Sequence, residues 1–432
     1  MNQNRKEFLK YMGMTGIGLA GAGMIPGCIS EPDSGRGGRS PVVNGPETSD
    51  ESLSIIGEYG PWGNSLLEKE LPEFSLRRQE WEGVNEWREA ARNRLTERLA
   101  IPDIGGAPEV RIDNAYTYDG LDIEEISWQL PYGQRTEAVV LKPSGTTGRL
   151  PAILAFYEHG LQKFFGVNKI TRTSDEQHPV IRAHQEEYYD GRAWANEIAK
   201  RGYVVMVSDV FPFGERRVRL RNVPGPIRGE LEYQDADNPS DEEIAAYNEW
   251  ARGHEHIMAK SLFSAGTTWP GVFFGEDRIA LDVLYAREDI DRDNIGCGGL
   301  SGGGIRTVVM GGLDPRIKCA VCMCFMTTWK DMVMYKSFTH TWMAFVPLLP
   351  NELEFTEILG LRAPLPTLVL NAEDDPLFTL SEMERADEIM KDVYRLAGAE
   401  DQYRCSFHPG PHKFGEGMQA EAFDWFDRWL NS

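Results

Sequence analysis

Five short, almost unbroken apolar runs punctuate the chain from residue 151 onward, PAILAFYEHG, GYVVMVSDV, NIGCGGLS, IKCAVCMCF and PTLVLNAED, and a last predicted strand, YRCSFHPG, comes after them. Runs of this length without polar alternation read as strands buried on both faces, the condition of a mostly parallel sheet. Helical stretches lie between most of them. A last helix follows, with Met418, Ala422, Trp425, Phe426 and Trp429 on one side. The pattern predicts a doubly wound α/β domain with helices on both faces of the sheet. Just ahead of it, IEEISWQL and RTEAVVLK flank the turn-like PYGQ and read as an antiparallel pair, so the domain is expected to span residues 120–432.

Two connections are too long for simple loops, residues 211–270 and 327–360. Both are expected over the carboxyl ends of the strands, where open α/β sheets bind ligands, as lid-like insertions. Residues 56–119 are expected to form a helical extension. Val84, Trp87, Ala91, Leu95 and Leu99 recur there at helical spacing and should pack on the main body.

The chain begins with a basic stretch, a Gly-rich apolar run and then Cys28, which reads as an export signal over residues 1–28. NRKEFLK resembles the twin-arginine export motif, with Lys6 in place of the second arginine. IPGC resembles a bacterial lipobox, which implies lipidation at Cys28 and a periplasmic or cell-envelope lipoprotein anchored to a membrane by that lipid. The Ser-, Gly- and Pro-rich residues 29–55 would then be a disordered tether. With 67 acidic and 45 basic residues, the net charge of −22 argues against nucleic-acid partners. No internal stretch is apolar enough to span a bilayer.

The residue that draws attention lies in GGLSGGGIR. Gly299-Leu300-Ser301-Gly302-Gly303 follows the strand NIGCGG and opens a predicted helix, so Ser301 falls on a sharp strand-to-helix turn with its hydroxyl above the sheet. A serine hydroxyl is a weak nucleophile and needs a histidine base, itself oriented by an acid. On such an elbow the acid comes after a later strand and the histidine after the last one. PTLVLNAEDDPLF offers Asp374 and Asp375, and SFHPGPHKF offers His408 and His412. Asp375, directly before Pro-Leu-Phe, is the preferred acid, and His412, beyond the strand end, the preferred base. Asp331 is a third candidate acid. A tetrahedral oxyanion would take the Gly302 N–H and a second donor from the loop after AFYEHG, Gly160 or Leu161. Cys319, Cys322 and Cys324 read as core side chains of a buried strand, and neither a metal nor a cofactor is expected.

GLSGGG, the His-Gly loop with LQKFFG, SDVFPFGER, NAEDDPLF and GPHKF together resemble the dienelactone-hydrolase and acetyl-xylan-esterase-like branch of the α/β-hydrolases. The resemblance covers roughly residues 120–432. It implies that Ser301, Asp375 and His412 are nucleophile, acid and base, with an oxyanion loop at His159-Gly160-Leu161. Relatives often read His-x-His-Gly or His-Gly-Gly where this chain has Tyr157-Glu158-His159-Gly160-Leu161, which leaves the second donor open.

The expected activity is that of a serine carboxylesterase, working through an acyl-enzyme on a carbohydrate or other small ester outside the cytoplasm. A prolyl-oligopeptidase-like peptidase and a non-catalytic binding protein are the alternatives. Arg216, in the arginine-rich GERRVRLRNVPGPIR, is a candidate for a substrate carboxylate, the alternative being pairing of these arginines with neighbouring acids such as Glu215 and Glu230. Trp269 and Trp329 are candidates for stacking on a sugar or acyl group, the alternative being core packing.

Overall fold

The computed structural model describes residues 53–67, 71–231 and 239–431. The expected export signal, Cys28 and nearly all of the expected tether lie outside the described residues. Nine strands form one sheet in the order β1-β2-β3-β5-β4-β6-β7-β8-β9. They are β1 (Arg111–Tyr118), β2 (Leu121–Trp128), β3 (Thr136–Pro143), β4 (Leu150–Phe156), β5 (Val204–Ser208), β6 (Ile290–Leu300), β7 (Ile317–Met323), β8 (Thr367–Ala372) and β9 (Tyr403–His408). The first three pair antiparallel, and β3 is antiparallel to β5. From β5 across to β9 every pairing is parallel. All residues of β5 and β8 are buried, as the unbroken apolar runs require.

The helices used below are α1 (Val84–Leu99), α2 (Pro179–Tyr189), α3 (Asp241–Ser264), α4 (Trp269–Ala286), α5 (Gly302–Leu313), α6 (Leu380–Leu396) and α7 (Glu416–Leu430). Strand alternation assigns two of them to opposite faces. Gly296 and Gly298 of β6 lie against Phe426 of α7, whereas Gly299, one step along, lies against Gly303 of α5. Among the described residues no helix is long and apolar enough to cross a membrane.

The extension before residue 120 is helical only in part, which corrects the expectation for residues 56–119. Residues 111–118 form edge strand β1 on β2. Its first five residues are exposed, so it carries no apolar alternation for a sequence reading to find. Helix α1 packs as expected, burying Trp87, Ala91, Leu95 and Leu99. Arg88 and Arg92 donate to the carbonyls of Leu361 and Gly312 at 2.9 and 2.8 Å. At its far end, Leu99 O accepts from the Thr268 hydroxyl at 2.7 Å, and that same hydroxyl caps α4 through the Gly271 N–H.

The two long insertions meet each other. Helix α3, opened by a capping box of Ser240 and Glu243, carries Phe263 into ring contact with Trp342 of the second insertion, centroids 6.3 Å apart. The Thr341 hydroxyl donates to Glu255 of α3 at 2.8 Å. Between them lies an apolar cavity of about 350 Å³ whose walls include Phe263, Trp329, Trp342 and Phe345.

Candidate active site

Strand β6 ends at Leu300 and α5 begins at Gly302, leaving Ser301 at the corner. Its φ of 56° and ψ of −113° lie outside the regions that residues with side chains prefer. Two backbone bonds hold it there: Ser301 N–H donates to Met323 O at 2.8 Å, and Ser301 O accepts from Ile305 N–H at 3.0 Å. The glycines around it, Gly299, Gly302 and Gly303, stand where there is no room for a side chain. A Cβ on Gly299 would stand 2.4 Å from Phe156 O, and one on Gly302 would stand 2.8 Å from His159 N. The corner therefore presents a partly exposed Ser301 beside the first N–H groups of α5, which have no intrahelical acceptor.

Asp375 and His412, the expected acid and base, meet across the ends of β8 and β9. His412 Nδ1 lies 2.5 Å from Asp375 Oδ2, while Asp375 Oδ1 accepts from Leu377 N–H at 2.9 Å. With Nδ1–H donating to the carboxylate, Nε2 of His412 is left as the basic nitrogen. Asp374 acts on the backbone instead. Its Oδ2 accepts from Gly410 N–H at 3.2 Å, and its own N–H donates to Gly410 O at 3.1 Å, which ties the histidine loop to the end of β8. His408 pairs with Glu421 at 2.9 Å. Asp331 is fully buried, its Oδ2 accepting from the Thr327 hydroxyl at 2.8 Å and Thr379 N–H at 3.2 Å.

The loop after β4 runs between two buried ionic clusters. In the first, Glu158 is met by His184 Nε2 at 2.6 Å, by the Tyr189 hydroxyl and by Lys169 Nζ at 3.5 Å. Burial opposes its charge, but Lys169 and His184 outweigh that and hold the carboxyl well below the usual range. Burial also pulls the Lys169 ammonium down to about 8. In the second, Glu255 of α3 takes His159 Nε2 at 2.6 Å together with Lys163 Nζ. Lys169 Nζ also donates to the carbonyls of Glu158 and His159 at 2.8 and 3.0 Å. In a planar trans peptide the N–H points opposite to the C=O, so the Gly160 N–H is directed away from Lys169. Gly160 N–H has no acceptor among the described residues, whereas Leu161 N–H donates to His159 Nδ1 at 3.1 Å.

Two substrate-binding expectations are corrected. Arg216 is buried, paired through Nη2 with Glu276 at 2.5 Å and bonded through Nη1 to Tyr132 O at 2.9 Å, so both ends of its guanidinium fork are engaged inside the protein. Trp269 is fully buried, with its ring against Phe211 and its Nε1–H donating to Phe211 O at 3.4 Å. Trp329 is also buried, its Nε1–H on Leu353 O at 2.9 Å, yet it lines the cavity between the insertions. Cys319, Cys322 and Cys324 are buried side chains with free thiols. Cys324 Sγ, a carboxylate oxygen of Asp375 and a ring nitrogen of His412 lie within 4.8 Å of one another. Burial pushes the Cys324 thiol well above its usual range, and the other two groups are already bonded to each other, so the trio is a poor ligand set for a metal. Sequence reasoning missed Glu255, Lys163 and His340. The last is packed between Phe325 and Phe378 at 5.3 and 4.8 Å and driven down to about 3 by burial and by the nearby His412. Only Lys163, within LQKFFG, stood inside a motif.

No protein-family profile matches the chain. It is 24% identical over 309 residues to the provisionally named hydrolase YtaP of Bacillus subtilis (strain 168), covering 71% of this chain and 88% of that one. Among solved structures it is similar to a provisionally assigned acetyl xylan esterase from Bacteroides fragilis NCTC 9343, with a TM-score of 0.59, 17% identity and 84% of each chain covered. It is also similar to a glucuronoyl esterase from Solibacter usitatus, with a TM-score of 0.53, 13% identity, and 79% of this chain and 93% of that one covered. The strand order, the elbow at Ser301 and these likenesses agree: the chain has the fold of the α/β-hydrolases.

Proposed function

We propose that the protein is a serine carboxylesterase acting on carbohydrate esters through an acyl-enzyme. The observation that carries the reading is the His412–Asp375 contact, assembled at the strand ends downstream of a strained Ser301 elbow. His412 Nε2 takes the proton from Ser301 Oγ as it attacks the ester carbonyl, and the imidazolium that forms is stabilised by Asp375. The tetrahedral oxyanion is received by the N–H groups of Gly302 and Gly160, with Leu161 N–H already bonded to His159. His412 returns the proton to the leaving alkoxide, the alcohol departs, and water activated by the same nitrogen clears the acyl group.

The names of the structural relatives, acetyl xylan and glucuronoyl esterases, support an ester of a sugar as substrate. Carboxylate recognition by Arg216 is no part of the proposal. The N-terminal residues support an exported protein, lipid-anchored at Cys28.

Purified protein is expected to hydrolyse p-nitrophenyl acetate and acetylated xylo-oligosaccharides. Ser301→Ala is expected to lower turnover by roughly 10⁴-fold or more with an unchanged circular dichroism spectrum. A folded Ser301→Ala variant that keeps ester hydrolysis would overturn the reading.

A further inference from the structure

We propose that Glu255, reaching out from the inserted helix α3, is a positioning residue for the oxyanion loop, so that docking of the insertion and assembly of the anion-binding site are one event. The inference rests on the esterase reading above. Its starting point is a tautomer. Leu161 N–H donates to His159 Nδ1 at 3.1 Å, which requires a lone pair on that nitrogen. Burial and the Lys163 ammonium disfavour a charged ring, so His159 is neutral and its single N–H is on Nε2. That N–H donates to Glu255 Oε1 at 2.6 Å.

Glu255 thus fixes which way the ring faces, and the ring in turn fixes Leu161. The carboxylate is itself held from several sides. Oε1 also accepts from Lys163 Nζ, and Oε2 accepts from the Thr341 hydroxyl at 2.8 Å. Although burial opposes ionisation, His159 and Lys163 hold the Glu255 carboxyl well below the usual range. One carboxylate, 6% exposed, therefore ties together α3, the loop after β4 and the second insertion.

What it ties down is the backbone that faces the elbow. His159 N stands 2.8 Å from where a Cβ of Gly302 would be, so the loop and the start of α5 are in direct apposition. The Glu158 cluster and Lys169 hold the other flank of the loop from the body of the domain. Without Glu255 the His159 flank loses its acceptor and Lys163 its counter-ion, while Ser301, His412 and Asp375 keep theirs. The Gly160 N–H would then be free to drift from the oxyanion, an effect felt in the transition state and not in substrate binding.

The test uses the full chain and an ester on which Ser301→Ala is inactive, so that failure of the esterase reading is seen separately. Glu255→Gln and Lys163→Met are expected to lower kcat about 10- to 100-fold with KM changed less than about threefold. Affinity for phenylboronic acid, which forms a tetrahedral adduct with the serine, should fall in parallel with kcat/KM. Thr341→Val, which leaves the ion pair intact, should give a smaller loss of the same kind and decides the matter if Glu255→Gln does not fold. The proposal is overturned if Glu255→Gln keeps kcat within twofold. It is equally overturned if the folded variants lose activity without a matching loss of boronate affinity, or if Thr341→Val behaves as the parent when Glu255→Gln is unfolded.

Discussion

Neighbouring acids in this protein do different things because of what reaches them. Asp374 and Asp375 are consecutive, yet one ties down Gly410 while the other holds His412. Asp375→Asn is expected to lower turnover of the best ester by about 10⁴-fold through the wrong histidine tautomer. Asp374→Asn, which removes one charge-assisted bond to an exposed loop, is expected to lower it less than about tenfold; equal losses in steady-state assays would contradict the assignment. Asp331 is distinguished by its titration. Burial raises its carboxyl to about 6 from 3.8. Between those values the folded chain keeps a proton that the unfolded chain has released, so this group's contribution to stability falls as pH rises through the window. Thermal midpoints of the parent relative to Asp331→Asn are therefore expected to decline from about pH 4 to about pH 7. A difference that is flat or rises with pH would show that the carboxyl is not held protonated.

At the scale of elements, what was legible in the sequence was what the main chain dictates. A buried parallel strand must be an unbroken apolar run, and an elbow with no space for Cβ atoms must be glycine, so β4 to β8 and Ser301 could be read directly. Edge strand β1 could not, because one face and most of its length meet water. Arg216 was misread for a related reason. A run of arginines looks like a surface cluster until the fold brings Glu276, 60 residues away, into pairing distance. Pairings at such separations, including that of Glu255 with His159, carry no local signature. Helix junctions follow the same logic. Thr268 both caps α4 and binds the end of α1, so Thr268→Val is expected to destabilise the protein by about 1–3 kcal/mol in denaturant melts, since it leaves Gly271 N–H and Leu99 O unpartnered.

Across the whole molecule, the sheet and its elbow are built from apolar runs and close backbone contacts, and the covering segments 211–270 and 327–360 join them through buried apolar side chains such as Phe213, Leu353 and Phe355 together with polar anchors such as Glu255. The elbow tolerates almost no side-chain change, with Gly299, Gly302 and Gly303 each within 3 Å of neighbouring backbone if given a Cβ. The covering segments are restricted instead by their buried side chains, among them Phe213, Tyr247, Met258, Met332 and Leu353. A chimera that imported foreign covering segments to change ester preference would inherit one obligation. Unless the graft brings a carboxylate to the place of Glu255, it leaves Lys163 as a buried cation with no counter-charge and His159 with a donor and nowhere to give it.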